Sequence, residues 1–495
     1  MQVRRAYCLD RCFVMKKSTF RVTLATIALV SPALPAKAQT SAPGVQTSPI
    51  PPSEAQSLWT DTNRTALKQA LANRTRHGLD HVTFLPRDID NQPGADANEA
   101  YQKAAIAYAH ALSQGMVDPA SLHDVYTIAR PADQTRALDD ALRQNRLAQW
   151  LESLAPADPE YRLLSQAYLQ AQRNIDGQKP VIALADSIHI GDVNPRVLEI
   201  VDQLIDDGYL TRRSPTAPVD LYSQDIADAV KALQRDYGIR EDGIVGPNTL
   251  GVLTLGPGDR ARTLAVALER RRWLSRTPPA TRIDVNTAAA ELRYYRDGQL
   301  VDQRKIIVGE PDRETPSLGS PIYRLVANPT WTVPKSIPVS RATVRAKNMR
   351  RINGYWVQPS GPDNALGLVK FDMKNNQAIY LHDTAAPELF ERSQRHLSHG
   401  CVRVSDALGF AAMLADQEGV GDAWANAHAS GNYEIVDLPR EIPVRLLYHN
   451  AFVGDDGKVA FRTDPYGWND AVAVQLGFAD AKTHQAKATT IDIGP

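Results

Sequence analysis

The 495-residue chain has little cysteine, few aromatic residues and no net charge, and each shortage narrows what it does. Its three cysteines are Cys8, Cys12 and Cys401, too few and too far apart for a disulfide framework. Its 56 basic residues are cancelled by 56 acidic ones, which removes the electrostatic case for a nucleic-acid partner. No run of 18 apolar residues occurs after residue 40, so no helix in the body of the chain is expected to span a bilayer. What is present is a 43% hydrophobic content, enough for packed cores and too much for wholesale disorder. At roughly 150 residues per domain the length predicts about three domains.

The first 38 residues read as a secretory signal peptide. Met15-Lys16-Lys17-Ser18-Thr19-Phe20-Arg21 is a basic head, Val22 to Val30 a short apolar stretch, and Ala36-Lys37-Ala38 a small-residue cleavage site. Cleavage after Ala38 removes seven basic residues and one acidic residue, leaving 49 against 55 and a net charge of −6. It also removes Cys8 and Cys12, whose pairing as a metal or redox motif has no further cysteines to support it. Cys401 is then the lone thiol of a secreted protein, either buried and inert or reactive.

Residues 39–56 are rich in Ser, Thr, Pro and Gln and read as a linker. Residues 57–195 carry helical spacing, as in Asn98–Ser113 and in Arg136–Leu154 with apolar Leu138, Leu142, Leu147 and Leu151. His77, His81, His110 and His123 in this stretch are expected to be structural or surface residues rather than metal ligands. In residues 196–256, Gly208 and Gly238 stop two helices, Asp242-Gly243 makes a tight turn, and Pro247 opens a third helix. Residues 257–281 read as a linker helix. From Arg282 the period becomes alternating: Ile283–Asn286 and Leu292–Tyr295 are strand-like, Asp297-Gly298 is a hairpin turn, and Arg304–Gly309, Ile322–Val326 and Thr330–Val333 continue as further strands. Residues 336–376 are polar, with turn signals at Asn353-Gly354 and Gly361-Pro362, and read as an insertion in a mainly-β domain over 282–440. Residues 441–495 are expected to pack back on the helical part.

The residues that carry chemistry cluster around Cys401. A nucleophilic thiol has to be ionised and reachable, and donors have to receive the oxyanion. Cys401 follows Gly400, where the missing side chain leaves room for a carbonyl group. His382 lies 19 residues upstream at the end of the strand-like run Ala378–Leu381, a rigid mount for a general base. Spacing alone leaves two readings open: a Cys/His acyl-transfer site, or a buried core cysteine beside a strand-end histidine. Zinc held by His382, His396, His399 and Cys401 has no typical ligand spacing.

Ala229 to Gly238 followed by Asp242-Gly243-Ile244-Val245-Gly246-Pro247-Asn248-Thr249-Leu250 resembles the three-helix peptidoglycan-binding module. The pattern of His382 with Ser398-His399-Gly400-Cys401 resembles the L,D-transpeptidase (YkuD-type) catalytic domain. Arg272-Trp273-Leu274, Ile307-Val308-Gly309 with Thr315-Pro316, Asn328-Pro329 with Trp331, and Asn364-Ala365-Leu366-Gly367 extend the likeness to the large periplasmic branch of that family. The resemblance implies a multidomain α+β protein with a helical scaffold domain, a peptidoglycan-binding module and a mainly-β catalytic domain whose lid, 336–376, is short.

It further implies that Cys401 forms a thioester with the third residue, meso-diaminopimelate, of a donor tetrapeptide stem. D-Ala is released, and an amine of a second stem resolves the thioester as a cross-link. His382 matches the general base. Ser398, His399 and Gly400 match the oxyanion region, and Tyr380, Trp331 and Arg403 fall where relatives line the cleft; Trp331 and Tyr380 as core aromatics, and Arg403 as a surface ion pair, are the plainer readings. The diaminopimelate side chain (a 3-3 link) and the N-terminal L-Ala (a 1-3 link) both remain open as acceptors. So do a carboxypeptidase acting through the same site and an idle wall-binding protein. No nucleotide-binding glycine loop occurs and no cofactor is implied. The expected partners are peptidoglycan stem peptides and glycan, and the expected location is the periplasm.

Overall fold

The computed structural model describes residues 58–91, 93–173, 182, 186–211, 218–335 and 337–479. The signal peptide, the linker over 39–56 and the last residues of the C-terminal segment lie outside them.

Three apolar cores account for the architecture. The first is helical. It gathers α1 (Asp61–Ala72), α2 (Gly94–Gln114), α3 (Leu138–Arg143), α4 (Leu147–Leu154) and α5 (Pro159–Arg173) around Leu67, Tyr101, Tyr108, Leu151 and Leu164. The spacing across 136–154 predicts one helix; the chain forms two, because Asn145 takes a left-handed φ of 51° and the Arg146 N–H closes back on the Ala141 carbonyl at 2.8 Å. The second core belongs to α6 (Val197–Asp206), α7 (Gln224–Asp236) and α8 (Pro247–Leu253). Buried Gln234 organises the turn between α7 and α8. Its side chain donates to Asp242, Ile244 and Thr249 and accepts the Gly243 N–H at 2.8 Å.

Residues 257–281 are expected to link domains, but α9 (Pro257–Arg272) is a central member of the first core. Its Leu264, Ala265 and Leu268 are buried against the scaffold helices. The pattern is hard to see because α9 is rich in arginine, and its Arg270 and Arg272 are themselves buried. A capping interaction from Asp259 to the Gly256 N–H, 2.9 Å, and Pro257 at the first turn start this helix.

The third core is a sheet. Its strands are β1 (Arg282–Asn286), β2 (Glu291–Arg296), β3 (Gln299–Gly309), β4 (Gly319–Ala327), β5 (Trp331–Thr332), β6 (Arg350–Ile352), β7 (Tyr355–Gln358), β8 (Val369–Met373), β9 (Leu381–His382), β10 (His396–Ser398), β11 (Val402–Val404) and β12 (Glu434–Leu447). Nine of these run in the order β10-β3-β11-β9-β8-β4-β12-β1-β2, and β2 returns to β3, so the sheet closes on itself. Asp297 and Gly298, both at positive φ, make the β2–β3 hairpin turn that this dipeptide favours. β6 and β7 pair with β5, just before the insertion, in a separate three-stranded sheet, and α10 (Arg341–Ala346) precedes β6; the insertion expected over 336–376 overruns into β8, which belongs to the main sheet. α11 (Ala407–Gln417) and α12 (Gly421–Ala429) follow β11 and pack Phe410, Leu414 and Trp424 against the sheet. The boundary expected at residue 440 falls inside β12, which pairs with both β4 and β1. Beyond it, α13 (Asn469–Gln475) buries Val472 and Ala473 in the first core. Among the described residues no helix is long and apolar enough to cross a membrane.

Two buried histidines tie stability to pH. Burial pushes His396 down to about 4 and His77 to about 3. Both are neutral when folded, while the unfolded chain protonates them near 6.5, so their contribution is complete above about pH 6.5 and is lost as the pH falls towards those depressed values. The expected result is a melting temperature that drops steadily between pH 7 and 4.5; a flat profile would contradict the buried, neutral assignment.

Candidate active site

The site lies where β9 and β11 run parallel in the middle of the sheet. Val402 is paired with Leu381 and Arg403 with His382, and the Val402 N–H donates to the Tyr380 carbonyl at 3.1 Å. Cys401, one residue before β11, is therefore level with Tyr380, one residue before β9. Tyr380 also touches His382, with ring centroids 5.6 Å apart. The Cys401 thiol donates to the Ala378 carbonyl at 3.6 Å. Burial pushes the Cys401 thiol up, and Tyr380, Lys370 and Arg403 pull it part of the way back. The resting group is thus a neutral thiol that has to give up its proton before it attacks.

His382 is fully buried, and its Nδ1 lies 2.6 Å from the Asp383 carbonyl oxygen. A carbonyl only accepts, so Nδ1 carries the hydrogen and Nε2 is left basic. The Asp383 carboxylate takes no part in this. It accepts the Leu368 N–H at 2.9 Å, and Gly367 leaves it space: a Cβ there would sit 2.3 Å from Asp383 Oδ2. The glycine that ends the Asn364–Gly367 motif thus has a steric role.

The loop before β11 is held from several sides. Ser398 Oγ donates to the Cys401 carbonyl at 2.6 Å and accepts the Gly400 N–H at 3.2 Å. Thr315 Oγ1 donates to the Gly400 carbonyl at 2.8 Å and accepts the Gly309 N–H at 2.9 Å. Gly400 itself has a φ of +111°, a conformation that favours glycine. His399 is half-buried between these two anchored residues.

The remaining sequence candidates fall into different settings. Trp331 is buried with Val333, Met349 and Leu366 under the three-stranded sheet, and Tyr380 packs at the edge of that cluster. Arg403 is 1% exposed within the sheet, so it is no surface ion pair. His396 turns away from the other histidines, with Nε2 2.9 Å from the Thr287 carbonyl.

Two residues at the site went unrecognised as such in the sequence. Thr315 had only its place in a Thr-Pro pair to mark it. Tyr466 had no local signal at all, because it lies 157 residues from its partner: its hydroxyl donates to the Gly309 carbonyl at 2.8 Å and accepts the Thr315 N–H at 3.3 Å. The segment after β12 thereby braces the loop that holds Gly400. Tyr466→Phe removes both bonds inside a buried region, and the expected result is about tenfold slower modification of Cys401 by an acylating β-lactam. A variant as fast as the wild type would make Tyr466 a purely structural residue.

Comparison with known proteins agrees with this layout. Residues 280–423 match the L,D-transpeptidase catalytic domain (YkuD), residues 193–253 the family described as “Putative peptidoglycan binding domain”, and residues 52–167 the scaffold domain. Three segments of the chain are thus similar to a YkuD L,D-transpeptidase catalytic domain, a peptidoglycan-binding domain and a scaffold domain. A Haemophilus influenzae protein named “Putative L,D-transpeptidase” is 31% identical over 217 residues, which cover 38% of this chain and 44% of the relative. The match therefore spans less than half of that relative's length. The solved L,D-transpeptidase of Stackebrandtia nassauensis is 13% identical over 52% of this chain and 94% of its own, with a TM-score of 0.22. Residues 123–326 of the Xylanimonas cellulosilytica L,D-transpeptidase give 17%, 54%, 99% and 0.19 respectively. Overlays this loose carry no argument.

Proposed function

We propose that the chain is a periplasmic peptidoglycan L,D-transpeptidase in which Cys401 is the nucleophile and His382 its general base. The observation that carries this reading is the register of β9 and β11, which sets Cys401 beside the Tyr380–His382 pair. His382 Nε2 takes the thiol proton as the sulfur attacks the carbonyl of the third, diaminopimelate residue of a donor tetrapeptide. The same proton goes to the amine of D-Ala as the C–N bond breaks, leaving a thioester. The amine of a second stem then attacks, its proton passes to His382, and the thiol is restored. The carbonyl of Gly400 is held by Thr315, so the N–H across that trans peptide, on Cys401, is turned the opposite way and is the donor offered to the oxyanion. The Gly400 N–H is already engaged by Ser398.

The test is product analysis. Purified residues 39–495 incubated with a disaccharide-tetrapeptide are expected to yield a cross-linked dimer with loss of D-Ala. Release of D-Ala with only tripeptide formed would make the protein a carboxypeptidase, with water resolving the thioester. No change in the tetrapeptide would leave a wall-binding protein with an idle site.

A further inference from the structure

A groove of about 400 Å³ opens where the second core meets the sheet. Arg240 and Glu241 line it from the turn between α7 and α8, and Glu391, Arg392, Ser393 and Gln394 line it from the stretch that enters β10. Both walls are fixed in place. On one side the Thr463 N–H donates to the Tyr237 carbonyl at 3.1 Å, and Arg260 of α9 reaches Asp207 at 2.7 Å. On the other side Arg395 donates to the Ile306 carbonyl at 3.1 Å and to the Arg392 carbonyl at 2.8 Å, and its own carbonyl accepts the Val308 N–H at 3.0 Å.

The side chains on that fixed backbone are unused. Arg392, Ser393 and Gln394 are half-buried, and none of the three makes a side-chain hydrogen bond or ion pair among the described residues. The two acids of the groove are taken up from outside it: Glu241 pairs with Arg235, and Glu391 with Lys305 at 3.0 Å. Arg240 meets Asp242 at 3.5 Å, but its side chain is 80% exposed, so that contact is weak and leaves the guanidinium open. The groove therefore presents two arginines without a strong partner, one hydroxyl and one amide, all reachable from solvent.

We infer that this groove seats an amino-sugar strand bearing carboxylates, the glycan–peptide chain of the wall, with Arg392 and Arg240 on a carboxylate and Ser393 and Gln394 on sugar hydroxyl and acetamido groups. A hydroxyl and an amide each donate and accept, as the neutral substituents of a sugar ring require. A guanidinium offers a carboxylate two parallel donors. A rigid backbone with uncommitted side chains lowers the ordering cost of binding, and the volume admits a ligand of about the size of a disaccharide. Gln394 stands four residues before Ser398, so a strand held here is anchored on the segment that leads into the Cys401 loop. The choice of ligand rests on the proposed function; the groove and its free side chains do not.

The experiment is calorimetric titration of purified residues 39–495 with three probes: a disaccharide-tripeptide (N-acetylglucosamine and N-acetylmuramic acid carrying L-Ala-γ-D-Glu-meso-diaminopimelate), the same tripeptide alone, and chitobiose. The expected result is saturable binding of the disaccharide-tripeptide that weakens about tenfold in Arg392→Met, and by a similar factor in Ser393→Ala with Gln394→Ala. The tripeptide and chitobiose each lack part of the contacts and should bind about tenfold more weakly or worse. The replaced side chains hold no part of the fold together, so both variants are expected to melt with the wild type.

No saturable binding of the disaccharide-tripeptide, or equal affinity in the wild type and both variants, overturns the inference. Tripeptide binding as tight as that of the disaccharide-tripeptide removes the sugar from the site and overturns it as well. Carbapenem acylation of Cys401 reports separately on the catalytic reading. Acylation without groove binding removes this site and leaves that reading standing, while binding that responds to the variants without acylation does the reverse.

Discussion

Cys401→Ala is expected to abolish covalent modification by a carbapenem, seen by intact mass as a single adduct on the wild type and none on the variant. Turnover of tetrapeptide should fall at least about 10⁴-fold, because in the proposed mechanism the sulfur is the atom that forms the intermediate and neighbouring groups cannot replace it. The setting of the thiol adds a pH dependence. Burial holds it neutral, against the partial opposition of Tyr380, Lys370 and Arg403. The acylation rate of the wild type should therefore rise as the pH increases from neutral, where deprotonation becomes easier. An adduct that persists in Cys401→Ala would move the nucleophile elsewhere and sink the proposed mechanism.

The second large effect concerns stability and lies far from the thiol. Glu269 and Arg272 on α9 are both fully buried and paired at 2.6 Å. Glu269 also accepts the Val117 N–H at 2.8 Å and the Trp273 indole N–H at 3.0 Å. Arg272 in turn donates to the His77 carbonyl at 2.7 Å and the Tyr161 hydroxyl at 3.0 Å. Gly115 is the residue that lets α2 end against this network: a Cβ there would stand 2.4 Å from Glu269 Oε1. Glu269→Ala strands a guanidinium and two N–H donors without their acceptor. The expected loss is about 3–5 kcal/mol, because a buried charge without its partner keeps its full desolvation cost. That corresponds to a fall of order 10 °C in melting temperature. Replacing both partners with apolar residues, Glu269→Leu with Arg272→Met, should cost less than Glu269→Ala alone. A double variant worse than the single would show that the pair stabilises the scaffold on its own account.

Much of the fold was legible because local patterns control local structure. The strand alternation after Arg282, the Asp297-Gly298 hairpin and the glycine stops at 208 and 238 are short-range signals, and the chain uses them as expected. α9 was harder to read. Its burial is paid for by ion pairs and hydrogen bonds to residues more than 100 positions away, so arginine content made a core helix look like a linker. The Arg136–Leu154 pattern hid a break for the opposite reason. Its apolar spacing runs on through Asn145, while the backbone turns there and seats both halves on the same core.

The amino-acid sequence by itself determined which side chains were the candidates: a thiol after a glycine, a histidine at a strand end, and the Ser-His-Gly-Cys run that resembles the family. Those are matters of residue type and spacing within about twenty positions. Only the tertiary structure decided how they are held. The pairing of β9 with β11 sets Cys401 level with Tyr380, and a carbonyl rather than a carboxylate orients His382. Thr315 and Tyr466, from two distant segments, fix the loop around Gly400. Hydrogen bonds of this kind depend on where a closed sheet and a returning C-terminal segment bring the chain back together, and no local pattern carries that information.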